Sequence, residues 1–317
     1  MTDAILEIID VGKRYLGFHA LVGATMTLQA GEVRALLGKN GAGKSTLIKI
    51  ISGAIGPDSG RVRIGGVEVT FANEAAAIAA GVITVYQELS IVGTMTAAEN
   101  IALGRWPRVG GKAGPIDHAR MVADARAALA SLGESFPVDV PMAELTLAQQ
   151  QMTEIARALS LEPRVLLLDE PFSALSLQEV QNLIARVRAI AARGIAVVFV
   201  SHRMKEVSGL AKTFTILRDG RIVAEGRLSD HAMHEIAELI VGQPAEMRSA
   251  ATAIPSTAVA VWLAVDNLSI PERGLTASLA LREGEIVGLA GAPGLGSYRD
   301  PPRACRRRFP TLFAPHD

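Results

Sequence analysis

The sequence predicts an α/β protein with a mainly parallel β-sheet, and two observations lead to this prediction. Short apolar runs at 82–86, 165–168 and 195–200 are typical of strands that are buried on both faces of a parallel sheet. Longer segments with helical periodicity lie between these runs. Strands that alternate with helices define the α/β class, in which helices cover both faces of the sheet.

The N-terminal part of the chain predicts strands, a glycine-rich loop and a hairpin. The runs 5–15 and 24–37 are rich in β-formers and broken by glycine, so they indicate a strand, a turn and a second strand that enters the loop. A helix is expected to start at 47–51. The segment 61–71 has Gly-Gly between two alternating runs, which is typical of a hairpin. An alanine-rich helix at 75–80 precedes the next buried strand.

The middle of the chain predicts an inserted helical portion at about 95–160. Helical patterns at 97–103 and 118–132 flank a Gly/Pro-rich loop at 105–115, and another helix is expected at 149–159. The remaining elements are a helix at 177–192 and a strand at 213–217 that ends in a turn at Asp219-Gly220.

Composition and charge limit the class of protein. The 317 residues are 49% hydrophobic, which supplies a large core and excludes disorder as the dominant state. Lys+Arg and Asp+Glu number 32 each, so the chain has no net field to attract nucleic acid. The single cysteine, Cys305, excludes an internal disulfide framework and a structural zinc site. Without a secretory signal or an apolar run of about 18 residues, we expect a cytosolic soluble protein, and docking on a membrane partner is the alternative left open.

The segment 38–45 reads GKNGAGKS and matches G-x-x-x-x-G-K-[ST] between an apolar strand and a helix. Its glycines let successive backbone N–H groups point into one concavity, and the helix N-terminus adds positive potential. Lys44 supplies a mobile cation, and Ser45 places a hydroxyl where Mg²⁺ on two phosphates needs a ligand. The motif predicts an ATP site; the alternative is a glycine turn that matches by chance.

The run VLLLDE at 165–170 is an apolar strand that ends in two carboxylates. Taken alone, it is equally well explained as a solvated strand end. Together with the glycine loop it predicts the second half of a nucleotide site. Asp169 then holds the magnesium shell, and Glu170 polarises the water that attacks the γ-phosphate.

These two segments and LTLAQQQ at 145–151 occur in the order and spacing of ATP-binding cassette (ABC) ATPases, a family that the sequence resembles. The resemblance implies a P-loop NTPase core with a mainly parallel sheet, an antiparallel β subdomain and an inserted α-helical subdomain. The segment 145–151 resembles LSGGQ, which caps the γ-phosphate of ATP held by the opposite subunit. Thr146 keeps the hydroxyl, whereas Leu147 and Ala148 replace both glycines. The alternative is an ordinary amphipathic helix start.

The form L-[ST]-x-A-Q-Q-Q-M, followed by E-I-A-[KR]-A-L, resembles the ribose-, xylose- and galactose-type uptake ATPases. The resemblance implies roles for further residues. Gln87 resembles the glutamine that contacts Mg²⁺ and the attacking water, His202 the histidine at the γ-phosphate, and Tyr15 the aromatic that stacks on adenine. Ser173 to Ser176 resembles the loop that crosses the dimer interface, with Ser176 in place of the usual Asp.

The site residues that follow from the motifs and the resemblance form three groups. The catalytic residues are Glu170, His202 and Gln87. The nucleotide-binding residues are Tyr15, Gly38, Asn40, Gly41, Gly43, Lys44, Ser45, Thr46, Thr146 and Gln149. The ligands of Mg²⁺ are Ser45, Gln87 and Asp169.

The chain also contains an internal repeat. The pattern from Gly31 to Gly43 reappears at a constant offset from Gly284 to Gly296, with Ser297 where the lysine would be. We expect an ABC ATPase domain at 1–245, a linker at 246–262, the start of a second and incomplete ABC domain at 263–297, and a disordered basic, Pro-rich tail at 298–317. The tail is expected to be disordered, with a shifted reading frame as one origin, and the alternative is a weak binder of anionic surfaces.

The resemblance implies an ATP-hydrolysing subunit of an importer for a sugar or similar small solute, on the cytoplasmic side of the cell membrane. Its implied cofactors are ATP and Mg²⁺. Its implied partners are membrane-spanning permease subunits, a solute-binding protein, and a second cassette from a homodimer or a separate chain, but no nucleic acid. The alternatives are a truncated nucleotide-binding module without sustained turnover and a soluble ABC ATPase unrelated to transport.

Overall fold

A six-stranded sheet forms the centre of the fold. The computed structural model describes residues 4–111, 113–172, 175, 177–201, 204–242, 260–270, 275–285 and 287. From edge to edge the strands are β10 (Arg221–Arg227), β9 (Thr213–Arg218), β3 (Val33–Leu37), β8 (Ala196–Val200), β7 (Val165–Asp169) and β6 (Val82–Val85). The strands from β9 to β6 are parallel, and β10 pairs antiparallel with β9. The prediction of a mainly parallel sheet is confirmed.

Both faces of this sheet are buried, because alternate side chains of its strands enter two different cores. In β7, Leu166 and Leu168 point into one core, whereas Val165 and Leu167 point into the other. A parallel strand covered on both sides needs apolar residues at every position. This requirement explains the short apolar runs in the sequence.

A four-stranded antiparallel sheet covers one face. Its order is β2 (Phe18–Gln29), β1 (Ala4–Tyr15), β4 (Ser59–Ile64) and β5 (Val67–Val69). The helix α1 (Lys44–Ile51) shares its core, and α2 (Glu74–Ala79) contributes Ala77. The expected hairpin at Gly65-Gly66 is present, and its second strand ends at Val69.

Helices cover the other face. They are α3 (Ala97–Ile101), α4 (His118–Ser131), α5 (Leu147–Leu159), α6 (Leu177–Ala192), α7 (Met204–Leu210) and α8 (Met233–Val241). The first three form the inserted helical portion and share one core with α6 and the sheet. No helix in the described part of the chain is long and apolar enough to cross a bilayer.

Several element boundaries differ from the sequence expectations for local reasons. The helix α1 begins three residues earlier than expected, directly after Gly43 in a left-handed conformation. The helix α5 begins at Leu147 because Thr146 and Gln149 cap it. The elements α7, α8 and β10 were not predicted. They carry weak signals: β10 is a half-buried, charge-rich edge strand, and α8 buries only Ile236.

The contacts within the chain divide it into two compact units, residues 1–246 and residues 247–317. The described part of the second unit is an antiparallel hairpin of β11 (Val261–Ile270) and β12 (Leu275–Arg282). The expected linker up to residue 259, the second glycine loop and the tail lie outside the described residues.

This hairpin repeats a detail of β1 and β2. In β1, Asp10 has a positive φ of 54° and donates its N–H to Thr25 Oγ1 (3.0 Å). In β11, Asn267 has a φ of 49° and donates its N–H to Ser278 Oγ (2.9 Å). Both hairpins therefore carry a left-handed residue that bonds to a hydroxyl on the partner strand, next to a break in register.

Candidate nucleotide-binding site

The glycine-rich loop joins β3 to α1 and depends on glycine at Gly43. Gly43 caps α1 with a φ of 105°, and a Cβ there would lie 2.5 Å from the Ala20 carbonyl oxygen. Gly41 has a φ of 80°, but a Cβ there would meet nothing within 4 Å. The loop thus packs closely against β2 at one glycine and stays open at the other, which leaves a concave surface at the α1 N-terminus.

Lys44 folds back over the loop. Its Nζ donates to the carbonyl oxygens of Gly38 (2.8 Å) and Lys39 (3.0 Å). Burial lowers the pKa of Lys44, and the nearby Glu170 and Asp169 oppose this effect. A half-buried ammonium at the mouth of a glycine-rich loop is well placed to bind an anion.

Asp169 is the last residue of β7, and Glu170 follows it at the same edge of the sheet as the glycine-rich loop. Burial raises the pKa of Asp169, and Glu170 adds to this effect, whereas Lys44 and Lys49 oppose it. Glu170 has a left-handed backbone with a φ of 48°, and its N–H donates to the Val200 carbonyl oxygen (3.2 Å). A left-handed conformation is uncommon for glutamate, although Glu162, outside the pocket, adopts it as well.

These elements surround an open pocket of about 730 Å³. The pocket lies at the carboxyl ends of parallel strands, where open α/β sheets bind ligands. Ten of the expected site residues line it: Tyr15, Asn40, Gly41, Gly43, Lys44, Ser45, Thr46, Gln87, Asp169 and Glu170.

The sequence analysis missed Phe18, Ala20 and Val200, which also line the pocket. Tyr15 and Phe18 flank the β1–β2 turn and are 43% and 63% exposed, so two aromatic rings are available to a flat ligand. The position of Phe18 directly after Gly17 was the only signal that could have indicated it.

The other expected residues lie elsewhere. Gly38, the first residue of the loop, does not line the pocket, and its carbonyl oxygen accepts from Lys44. Thr146 Oγ1 accepts from the N–H of Gln149 (3.3 Å), and Gln149 Oε1 accepts from the N–H of Thr146 (2.9 Å). This capping box starts α5 on the protein surface and does not line the pocket of its own chain. His202 and, in the loop expected at the dimer interface, Ser173, Ala174 and Ser176 lie outside the described residues.

The fold, the loop and the acidic strand end together define a P-loop nucleotide-binding domain. Residues 21–173 match the family described as "ABC transporter". The chain is 27% identical to an ATP-binding cassette of an ABC transporter in its ADP conformation, with a TM-score of 0.64 over 75% of this chain and 95% of that one. It is 26% identical to cbiO1 of Clostridium perfringens, part of the ABC transporter complex cbiONQ, with a TM-score of 0.64 over 75% and 93%.

Curated relatives also have names that describe ATP-binding proteins of transporters. The chain is 41% identical over 304 residues to the uncharacterized ABC transporter ATP-binding protein YphE of Escherichia coli (strain K12), which covers 92% of this chain. It is 40% identical over 294 residues to the ribose import ATP-binding protein RbsA 1 of Burkholderia thailandensis, which covers 93%. The chain spans 58% of the length of each relative. Residues 21–173 carry the ATP-binding cassette domain of the ABC transporter family.

Proposed function

We propose that this chain is the ATP-binding and ATP-hydrolysing subunit of an importer for a sugar or a similar small solute. The observation that carries the proposal is the pocket in which Lys44, Ser45, Gln87, Asp169 and Glu170 meet. The names of relatives such as the ribose import ATP-binding protein RbsA 1 support the class of solute.

Within this proposal, the loop N–H groups and Lys44 bind the phosphates of ATP, and the exposed ring of Tyr15 stacks on adenine. Glu170 accepts a proton from the attacking water, while Gln87 and His202 orient the water and the γ-phosphate.

The donor set at the pocket fits Mg²⁺. Ser45, Gln87 and Asp169 offer hydroxyl, amide and carboxylate oxygens, which hard cations prefer. Among the described residues, no group of three or more His, Cys, Asp or Glu could hold a metal ion. Mg²⁺ held by Ser45, Gln87 and Asp169 would neutralise charge on the bound phosphates.

The proposed partners follow from the position of Thr146. Its capping box lies on the surface, where a second cassette, from a homodimer or a separate chain, could receive it. The importer also needs permease subunits, a solute-binding protein and a peripheral position on the cytoplasmic side of the membrane. We propose 1–245 as the complete cassette and 263–297 as the start of a second one; the shared detail of the Asp10 and Asn267 hairpins supports this division.

The first test replaces Lys44 with alanine. Lys44→Ala should abolish ATP binding and hydrolysis, because the half-buried cation at the phosphate loop is lost. Isothermal titration with ATP and phosphate release measure both losses. The matched control is Lys39→Ala in the same loop, whose Nζ instead donates to the Val241 carbonyl oxygen (3.0 Å). Wild-type ATP affinity in Lys44→Ala would refute the assignment of the pocket, and an active Glu170→Gln variant would refute the assigned base.

A further inference from the structure

The 86–90 segment, which contains Gln87, is held at both ends by side chains from different parts of the domain. At its start, the Tyr86 hydroxyl donates to the Glu74 carboxylate and hydrogen-bonds with Ser52 Oγ (3.3 Å). Ser52 caps the C-terminus of α1, and Glu74 is the first residue of α2. This end of the segment is therefore attached to α1, the helix that follows the glycine-rich phosphate loop at 38–45.

At its other end, the segment is attached to α5. The Ser90 N–H donates to Glu154 Oε1 (3.1 Å), and the Ser90 carbonyl oxygen accepts from an Arg157 guanidinium nitrogen (2.6 Å). Arg157 also pairs with Glu154 (3.3 Å). Two side chains one helical turn apart thus bind both polar groups of one backbone residue, three positions after Gln87.

The burial of Glu154 argues for a specific role. Its side chain is 2% exposed and that of Arg157 is 21% exposed. Burial raises the pKa of Glu154, while the Ser90 N–H and Arg157 oppose this effect. Its second oxygen, Oε2, is buried and has no hydrogen-bond partner in the described part of the chain. A buried carboxylate with one unpaired oxygen is costly, and an apolar residue would pack here at lower cost.

We propose that Glu154 and Arg157 are positioning residues for Gln87. They fix the 86–90 segment to α5, so that a displacement of α5, the helix that begins after Thr146, moves Gln87 relative to the phosphate loop. The inference rests on the proposed function for its kinetic consequence, but the attachment itself is a property of the nucleotide-free chain.

The first experiment measures this attachment without activity. Amide hydrogen exchange is followed at 87–92 in the full chain, in wild type and in Glu154→Ala. Loss of the acceptor should speed exchange of the Ser90 amide, and Glu154→Gln, which keeps an oxygen there, should restore much of the protection. The matched control is Glu134→Ala. Glu134 forms an ion pair with Arg186 of the same length as the Glu154–Arg157 pair (3.3 Å), but this pair does not involve the 86–90 segment. Unchanged exchange at Ser90 in Glu154→Ala would overturn the proposal.

The second experiment separates positioning from general stability. In Glu154→Ala, kcat should fall about tenfold with KM within about twofold, because Gln87 is misplaced rather than removed. In a Gln87→Ala background the same substitution should cause no further loss. An equal loss in both backgrounds would mean that Glu154 is only structural and would overturn the proposal.

Two provisions keep the test decisive. If Glu154→Ala does not fold, Arg157→Ala, at the more exposed end of the pair, is measured instead. Arg157 binds the Ser90 carbonyl oxygen and pairs with Glu154, so its loss should speed amide exchange across 87–92, and the fall in kcat should again vanish in the Gln87→Ala background. Unchanged exchange across 87–92 would overturn the proposal. Failure of the proposed function would appear as absent hydrolysis in wild type, which leaves the exchange result intact. Failure of the positioning role would appear in the exchange data of an active enzyme.

Discussion

At the residue scale, Lys44 and Asp169 face one pocket, and burial acts against both charges. It lowers the pKa of the lysine and raises the pKa of the aspartate. Each charge partly offsets the penalty of the other, but desolvation remains the largest effect on both. The charges of Lys44 and Asp169 are thus placed to bind a charged ligand, and their burial lowers the stability of the nucleotide-free fold.

Asp169→Asn should therefore raise the Tm of the nucleotide-free protein at pH 7, by an amount that solvent screening of this partly exposed carboxylate keeps small. The native pKa lies above the value of 3.8 for the unfolded chain, so native Asp169 binds more protons between these two values. The stability of wild type falls as pH rises through this window, and the advantage of asparagine should disappear below 3.8.

Thermal unfolding against pH, with and without Mg-ATP, checks this prediction. The same variant should lose most of the upward Tm shift that Mg-ATP gives wild type, because a proposed metal ligand is gone. Asp124→Asn serves as the control, since Asp124 forms an exposed pair with Arg120. A lower Tm than wild type at pH 7 without nucleotide would contradict the argument.

At the element scale, α3 and α5 begin in the same way. Thr96 and Glu99 form a capping box at α3, and Thr146 and Gln149 form one at α5. Both threonine hydroxyls satisfy a backbone N–H that the helix leaves unpaired. Only the second box is proposed to contact nucleotide on another cassette.

This pair predicts different effects for the same substitution. Thr96→Ala and Thr146→Ala should each cost about 1 kcal/mol of stability, measured by denaturant unfolding. Only Thr146→Ala should weaken ATP-dependent pairing of cassettes, measured by sedimentation. Equal pairing in the two variants at matched stability would show that the second box is merely a helix cap.

The sequence predicted the site best where the same residues determine both the shape of the backbone and the chemistry. The loop from Gly38 to Ser45 needs glycines for its shape and Lys44 for its charge, so one pattern predicted both the turn and the site. The starts of α3, α4 and α6 were predicted correctly, whereas those of α1 and α5 were placed late because hydrophobic periodicity does not report the cap residues that precede them. Phe18 and Val200 were missed because their place in the pocket depends on how β2 and β8 approach the loop, which is a tertiary property.

At the scale of the whole molecule, the pocket and the α5 cap belong to different surfaces of one chain. The cap does not line the pocket of its own chain. Within the proposed function, each chain therefore offers half of a composite site, and closure around ATP brings two halves together.

Glu170→Gln should form a nucleotide-dependent pair, because it binds Mg-ATP but removes the base that limits the life of the closed state. Sedimentation velocity at several protein concentrations, with and without Mg-ATP, measures the pair. Lys44→Ala introduced into this variant should abolish the pairing. A chain that binds ATP yet stays monomeric at every concentration would mean that the second cassette comes from a different chain.

The strand order of the central sheet also determines when the pocket can exist during synthesis. Strand β3, which leads into the phosphate loop, is made early, but its two neighbours β8 and β9 end only at Val200 and Arg218. Contacts between residues so far apart in sequence form late, whatever their strength in the finished protein. A nascent chain therefore cannot be stabilised by nucleotide until most of the domain has left the ribosome, and until then it depends on local contacts and chaperones.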